Sequence, residues 1–464
     1  MQNFDVIIIG GGPAGHSAAL TAASADKRAL LIEREHAVGG ACVSHGTIPS
    51  KTLRETAASL MSFPHRTGGV FKVAMRDDLQ LESLMARKEA VIRAHQATMG
   101  RELTELGVER WHGRARFLDA HRISVEGVDR QVREVTAPVI CIATGSRPRN
   151  PPGIDVDHTN ILDSDSFLSL TYLPKTLAVL GAGVIASEYA SVFATLGVQV
   201  TMIDRGDRPL GFLDRTLTDC FVKGFTAAGG TYRSGLKPIT ATFDGICGVE
   251  VRCEDGTVIE AEKVLCALGR LANLEGLGLE HAGLKATDRG LLTVDENFHT
   301  NVPGIYGIGD VIGPPSLASA ALDQGRRAVA HALGLGAGHP PETTPMGIYT
   351  IPELAAVGLT EEQAMKNHGG CRTAIASFAD LARGQIAANQ AGLLKLVTDA
   401  EGRKILGVHV AGEGAAELVH LGQMALLAGW TVDQLVATTF NFPTHAEAYR
   451  IAAIAIIHQR RHAK

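Results

Sequence analysis

The chain has 464 residues, 45% of them apolar and 20% charged, with a formal net charge of −5. That length accommodates about three ordinary domains, and the balance is that of a globular protein with ample material for its cores. No basic excess points to nucleic acid, no apolar run is long enough for a bilayer span, and the seven cysteines show no metal-ligand spacing.

Phe4-Asp5-Val6-Ile7-Ile8-Ile9 is mostly β-branched and predicts a buried parallel strand. It is too short for a signal segment and runs straight into glycines. Gly10-Gly11-Gly12-Pro13-Ala14-Gly15 follows, then an alanine-rich stretch that predicts a helix over about 14–25. A second strand, Arg28 to Ile32, ends in Glu33. This order is a dinucleotide fingerprint: Gly10 makes the turn, Gly12 admits a pyrophosphate, and Gly15 lets the helix pack on the strand. The helix N-terminus favours the diphosphate charge. Glu33, about 20 residues on, is placed to hold an adenosine ribose hydroxyl.

Gly39-Gly40-Ala41-Cys42-Val43-Ser44-His45-Gly46-Thr47-Ile48-Pro49-Ser50-Lys51 comes next. Gly39 and Gly40 let the backbone approach a ligand closely, and Pro49 predicts a helix start. Residues 51–62 and about 80–106 read as helices. Leu81, Leu84, Met85, Ile92 and Met99 share one face of the second and need only core packing to explain them. From about 110 to 145 the pattern alternates as strands do and closes on Ala143-Thr144-Gly145-Ser146.

A second fingerprint begins with the strand Thr176 to Leu180. Gly181-Ala182-Gly183-Val184-Ile185-Ala186 is its turn and helix start, Glu188 lies in the helix, and Val198 to Ile203 is a strand ending in Asp204. This internal repeat implies two bound dinucleotides. Asp204 favours a 2′-hydroxyl over a 2′-phosphate. Arg205 and Arg208 are either ligands for such a phosphate or solvated loop charges. Cys247 and Cys253, six apart, read as small buried apolar residues.

The stretch from Gly39 to Lys51 resembles the flavin-side motif of the FAD-dependent pyridine nucleotide-disulfide oxidoreductases. That motif is Gly-Gly-x-Cys-x-x-x-Gly-Cys-Ile-Pro-Ser-Lys. Here Cys42 is present and the second cysteine place holds Thr47, so the family's redox dithiol cannot form. The resemblance continues to about residue 455. Thr144 and Gly145 match an Ala-Thr-Gly motif where the chain leaves the flavin domain, and Gly269 lies in the closing segment of the nicotinamide domain. Asp310, after Ile305-Tyr306-Gly307-Ile308-Gly309, takes the place of an aspartate that accepts from the flavin's ribityl chain. Ala318 opens a helix whose end lies near the flavin carbonyl and favours negative charge there. Lys51 and Glu188 match an ion pair beside flavin N5, with a plain helix-surface pair as the alternative.

From about 343 the composition shifts to strands with a final helix pair, resembling the family's C-terminal interface domain. There a two-fold dimer sends a His-x-x-x-x-Glu pair to the partner's flavin. Glu447 is kept, but the histidine place holds Phe442. His445 is displaced by three residues and reads as an interface or surface histidine.

The resemblance implies an α/β fold: two Rossmann-like dinucleotide-binding domains, for FAD and NAD(P), plus an α+β C-terminal dimerisation domain. The expected divisions are 1–150, 151–272, 273–342 and 343–464. Thr47 and Phe442 remove the sulfur and the base that a dithiol reductase needs. A second nicotinamide nucleotide is then the evident exit for electrons. The expected function is Si-specific hydride transfer between NADPH/NADP+ and NAD+/NADH through FAD, with Cys42, Thr47, Lys51, Glu188 and Glu447 as its catalytic set. The expected cofactors are FAD, NAD and NADP, in a cytoplasmic homodimer with no nucleic-acid or membrane partner and no metal. The alternatives are a quinone or dye reductase of the same fold, a dihydrolipoamide dehydrogenase subunit, and an idle FAD- and NAD-binding regulator.

Overall fold

The computed structural model describes residues 2–66, 81–336 and 344–462. They form two compact units, one of Met1–Thr52, Ser83–Arg149 and Gly269–Pro340, the other of Leu53–Glu82, Asn150–Leu268 and Pro341–Lys464. The domain boundary expected at 342/343 lies outside the described residues.

In the first unit, Glu109–Phe117, Ala29–Glu33, Val6–Ile9, Val139–Ile142 and Ile305–Gly307 lie side by side in that order, all parallel. Val6–Ile9 is buried along its whole length, which is why its sequence is an unbroken apolar run. Its alternate residues serve opposite faces. Val6 and Ile8 pack with Ala14, Ala18 and Ala328, while Ile7 and Ile9 pack with Phe117, Ile123 and Val135. The alanine-rich helix Pro13–Ser24 lies close to the helix Ala318–Ala332. At Gly325 an added Cβ would sit 2.1 Å from the Ala14 carbonyl oxygen, so only glycine fits.

Two local expectations fail here. The helix expected to start at Pro49 starts at Thr47 and runs to Arg66, behind a short helix, Gly40–Ser44. Its first turn closes when Ser50 N donates to Gly46 O at 3.1 Å. Pro49 is tolerated because first-turn N–H groups have no partner to lose. On the helix Leu81–Glu105, Leu81, Leu84, Ile92 and Met99 are buried as expected, and Met85 is only half-buried.

The second unit holds a parallel sheet in the order Thr231–Arg233, Gln199–Ile203, Thr176–Leu180, Lys263–Cys266, Ile161–Asp163. It also holds an antiparallel sheet in the order Met346–Ile348, Leu354–Gly358, Ile405–Ala411, Leu393–Asp399, Cys371–Ser377. Three helices, not a pair, follow the last strand: Ala415–Leu427, Val432–Ala437 and Glu447–His462. The middle one is too short to show a period, but Thr431 and Gln434 cap it reciprocally. Cys253 is buried, whereas Cys247 is exposed. Cys247 sits in a turn where the Asp244 carboxylate accepts the N–H groups of Ile246, Cys247 and Gly248. No helix among the described residues is long and apolar enough to cross a membrane.

Candidate active site

The fingerprint glycines divide into those the fold needs and those it does not. Gly10 has φ 106°, and an added Cβ would stand 2.4 Å from the Ala143 carbonyl oxygen; at Gly15 it would stand 1.8 Å from that of Gly10. Gly12 is different. Its φ of −70° suits any residue, and a Cβ there would meet only the Gly40 Cα at 3.9 Å. The second unit repeats the distinction. Gly181, with φ 104°, is closed in by the Ala267 carbonyl oxygen at 2.7 Å, while nothing lies within 4 Å of a Cβ on Gly183. Among the described residues no protein atom accounts for Gly12 or Gly183, and the space above each turn is open to a ligand.

The helix ends agree. Gly12, Gly183 and Leu317 precede helices with no side-chain cap. Asp214, Thr360 and Thr431 cap their helices with side-chain oxygens, and at the helix Ala415–Leu427, which also lacks a cap, Glu353 Oε1 accepts Ala416 N at 2.7 Å. An uncapped N-terminus beside open space leaves its N–H groups to bind an anion.

The acids that end the two strands also do something the sequence did not reveal. Glu33 Oε2 accepts Gly11 N at 2.7 Å, and Asp204 Oδ2 accepts Ala182 N at 3.1 Å. Each carboxylate thus steadies the glycine turn of its own unit. Beyond Asp204, Arg205 is exposed with no ion-pair partner among the described residues. Arg208 is not a solvated loop charge: its Nη2 donates to Gly211 O and Leu213 O at 3.2 and 3.3 Å, and its Nη1 lies 3.5 Å from Glu362.

Within the first unit, Gly40 (φ 56°) brings the Gly39 to Lys51 stretch against Gly12. Cys42 is half-buried in the short helix. Burial pushes its thiol up, against a hydrogen bond with the Thr47 side chain and the nearby Lys51 charge. Thr47 therefore stands against Cys42 where a second sulfur would be. Lys51 Nζ donates to Ser50 Oγ at 3.3 Å. Asp310 Oδ2 accepts from Ser146 Oγ at 2.5 Å, and Ser146 Oγ in turn accepts from Arg270 Nε at 2.7 Å. Neither Ser146 nor Arg270 was singled out from sequence, although both directly follow predicted glycines. Among the described residues Asp310 accepts through Oδ2 and not through Oδ1, and the buried Thr144 hydroxyl has no partner. Asn273 ties down this corner, donating its N–H to Gly145 O at 2.9 Å and its side-chain amide to Thr144 O at 3.0 Å. Gly269 O accepts from Arg149 N at 3.0 Å, and Ala318 is the first residue of its helix. The cradle over Gly12, an open carboxylate oxygen and an orphaned hydroxyl fit a dinucleotide that carries a chain of hydroxyl groups.

Within the second unit, Glu188 is buried and its Oε1 accepts Tyr349 N at 2.9 Å. Glu447, also buried, opens the last helix, and Thr444 N donates to its Oε2 at 3.5 Å. Phe442 is exposed. His445 is no open surface group. It stacks on Phe378 with ring centroids 4.4 Å apart, its Nε2 is buried without a hydrogen bond, and burial lowers its pKa.

The family model described as pyridine nucleotide-disulphide oxidoreductase matches residues 4–325, and the model of that family's dimerisation domain matches residues 344–453. A soluble pyridine nucleotide transhydrogenase of Mycobacterium bovis is 39% identical over 464 residues, covering 99% of this chain and 98% of its own. One of Colwellia psychrerythraea is 40% identical, covering 97% of each chain. Among solved structures, LpdA of Mycobacterium tuberculosis superposes with a TM-score of 0.91 at 29% identity, over 98% of this chain and 100% of that one. The HOCl-induced flavoprotein disulfide reductase RclA of Escherichia coli superposes with a TM-score of 0.87 at 26% identity, over 97% and 99%.

Proposed function

The chain belongs to the pyridine nucleotide-disulphide oxidoreductases, and from that premise we propose that it is a soluble transhydrogenase, passing hydride between NADPH/NADP+ and NAD+/NADH. The observation that carries this reading is Thr47 bonded to the Cys42 thiol where a dithiol enzyme has its second sulfur. With Phe442 in the histidine place, neither the sulfur nor the base of dithiol chemistry is present, which tells against dihydrolipoamide oxidation.

Bound FAD supplies the two-electron relay between the nucleotides. The protein's own residues do the holding. The open cradle at Gly12 and Gly40, with the uncapped helix behind it, takes a pyrophosphate, and Glu33 takes the adenosine ribose. Asp310 Oδ1 accepts from a hydroxyl of the ribityl chain. The uncapped start of the helix at Ala318 faces negative charge on the ring. Lys51 contributes a fixed cation next to Cys42. Gly183 leaves room for the second pyrophosphate, Asp204 accepts from a ribose hydroxyl, and Arg205 meets a 2′-phosphate. Glu447 belongs to the dimer-borne end of the catalytic set.

This reading includes the four divisions at 1–150, 151–272, 273–342 and 343–464; the gap between the two family matches supports the last boundary. It also includes a homodimer, supported by the dimerisation-domain match and by exposed Leu421, Met424 and Leu427 on one helix. A cytoplasmic location accords with seven unpaired cysteines. The test is turnover of NADPH with a thionicotinamide analogue of NAD+, run beside dihydrolipoamide. Steady reduction of the analogue and none from the dithiol is expected; the reverse result overturns the proposal. Si-specificity is read in the same assay, as deuterium transferred from (4S)-labelled NADPH only.

A further inference from the structure

The loop that follows Asp204 is fastened at both ends and in the middle, and the fastenings differ in strength. At its start, Asp204 Oδ1 accepts Gly206 N at 2.7 Å. At its end, Asp214 is fully buried and holds Lys395 Nζ at 2.8 and 3.0 Å, together with the backbone N–H groups of Thr216 and Glu361. Lys395 also donates to Glu361 Oε2 at 2.6 Å. This end is dry and saturated with partners, so no ligand will displace it. Between them, Leu210 N donates to Ala182 O at 2.9 Å, which lays the loop along the second glycine turn.

The middle fastening is Arg208. Its Nη1 is shut off from solvent and makes no hydrogen bond, and its one ionic neighbour among the described residues is Glu362 Oε1 at 3.5 Å. Glu362 itself is half-exposed, on the first turn of the helix Glu361–His368. A long ion pair with one partner in water is among the weakest contacts of its kind. A buried guanidinium nitrogen without a hydrogen bond is left short of an acceptor. A phosphate dianion offers that acceptor, in the forked geometry a guanidinium prefers.

We infer that Glu362 sets how strongly this chain prefers nucleotides that carry a 2′-phosphate, by holding the Arg208 guanidinium that such a phosphate must take from it. The inference rests on the reading of residues 181–214 as a nicotinamide-nucleotide site. A nucleotide with a free 2′-hydroxyl leaves the Arg208 to Glu362 pair in place. A 2′-phosphate breaks it and gains a second arginine beside Arg205. Glu362 touches neither nucleotide and is a positioning residue.

The experiment compares affinities of the full-length, FAD-loaded protein for NADP+, NAD+, 2′,5′-ADP and 5′-ADP by titration calorimetry. Glu362→Gln is expected to tighten NADP+ and 2′,5′-ADP about three-fold, the scale of a surface ion pair, with NAD+ and 5′-ADP shifting far less. Glu362→Asp keeps the charge and the helix-start carboxylate and should stay near the unmodified ratio. Adding Arg208→Ala to Glu362→Gln should erase the gain. Equal shifts for phosphorylated and unphosphorylated ligands, or a gain that survives Arg208→Ala, overturn the inference while leaving the transhydrogenase reading intact. Failure of the unmodified protein to bind any of the four overturns both.

Discussion

Gly12 separates ligand from fold at the scale of one residue. A side chain at Gly10 or Gly15 collides with backbone carbonyl groups, so loss of FAD in those variants would say nothing beyond misfolding. Gly12 has extended backbone and open space around its absent Cβ. Gly12→Val should therefore fold with unchanged far-ultraviolet dichroism and the thermal midpoint of the FAD-stripped parent, yet purify without flavin absorbance, because its isopropyl group occupies the pyrophosphate's place. Yellow protein at full occupancy would remove the first fingerprint as the FAD site. Thr47 poses the complementary case. It keeps a hydrogen bond to Cys42, and burial pushes that thiol up, the direction that disfavours the thiolate a redox dithiol needs.

Between elements, a buried ion pair joins Lys395, on the strand Leu393–Asp399, to Asp214, at the start of the helix Arg215–Ala227. Burial pushes the Asp214 carboxyl up. The hydrogen bond from Lys395, that from Glu361 N and the neighbouring charges overcome this and hold it at about 2. The folded chain thus releases the proton more readily than the unfolded one, whose aspartates titrate near 3.9. The stability it contributes, roughly 2 kcal/mol, is present above about pH 4 and is lost as pH falls toward 2. Lys395→Met leaves a buried carboxylate without its cation and should cost about 3–5 kcal/mol. Asp214→Asn added to it should restore part of that. Urea midpoints for the three proteins at pH 7 and pH 3 check both statements; a single variant as stable as the parent at pH 7 contradicts them. None of this was legible in the sequence, because the partners are 181 residues apart and only the tertiary fold brings them together. The glycine turns were legible because Gly10 and Gly181 adopt conformations that side chains avoid. The helix Gly40–Ser44 was hidden behind a glycine pair that reads as loop. The outward turn of Cys247 was hidden too, since residue type alone predicts burial.

For the whole molecule, the count of dinucleotide units constrains the order of events. Among the described residues two strand–glycine–helix units occur, at residues 6–33 and 176–204. The first lies in the same compact unit as Cys42, Thr144 and Asp310, the residues that fit the flavin. The proposed assignment leaves the second, with Asp204 and Arg205, for both nicotinamide nucleotides. One site used by donor and acceptor in turn cannot form a ternary complex with them, so the reduced enzyme must release NADP+ before NAD+ enters. Initial rates with NADPH varied at several fixed NAD+ concentrations should give parallel double-reciprocal lines. Each nucleotide at high concentration should also inhibit competitively against the other, since both occupy the same turn at Gly183. The half-reaction should run alone: NADPH should exchange hydride with a thionicotinamide analogue of NADP+ in the complete absence of NAD(H). Intersecting lines, or exchange that requires NAD+, would mean that donor and acceptor bind together. Such a result demands a nucleotide site that neither fingerprint provides, and the assignment of one turn to both substrates would then be wrong.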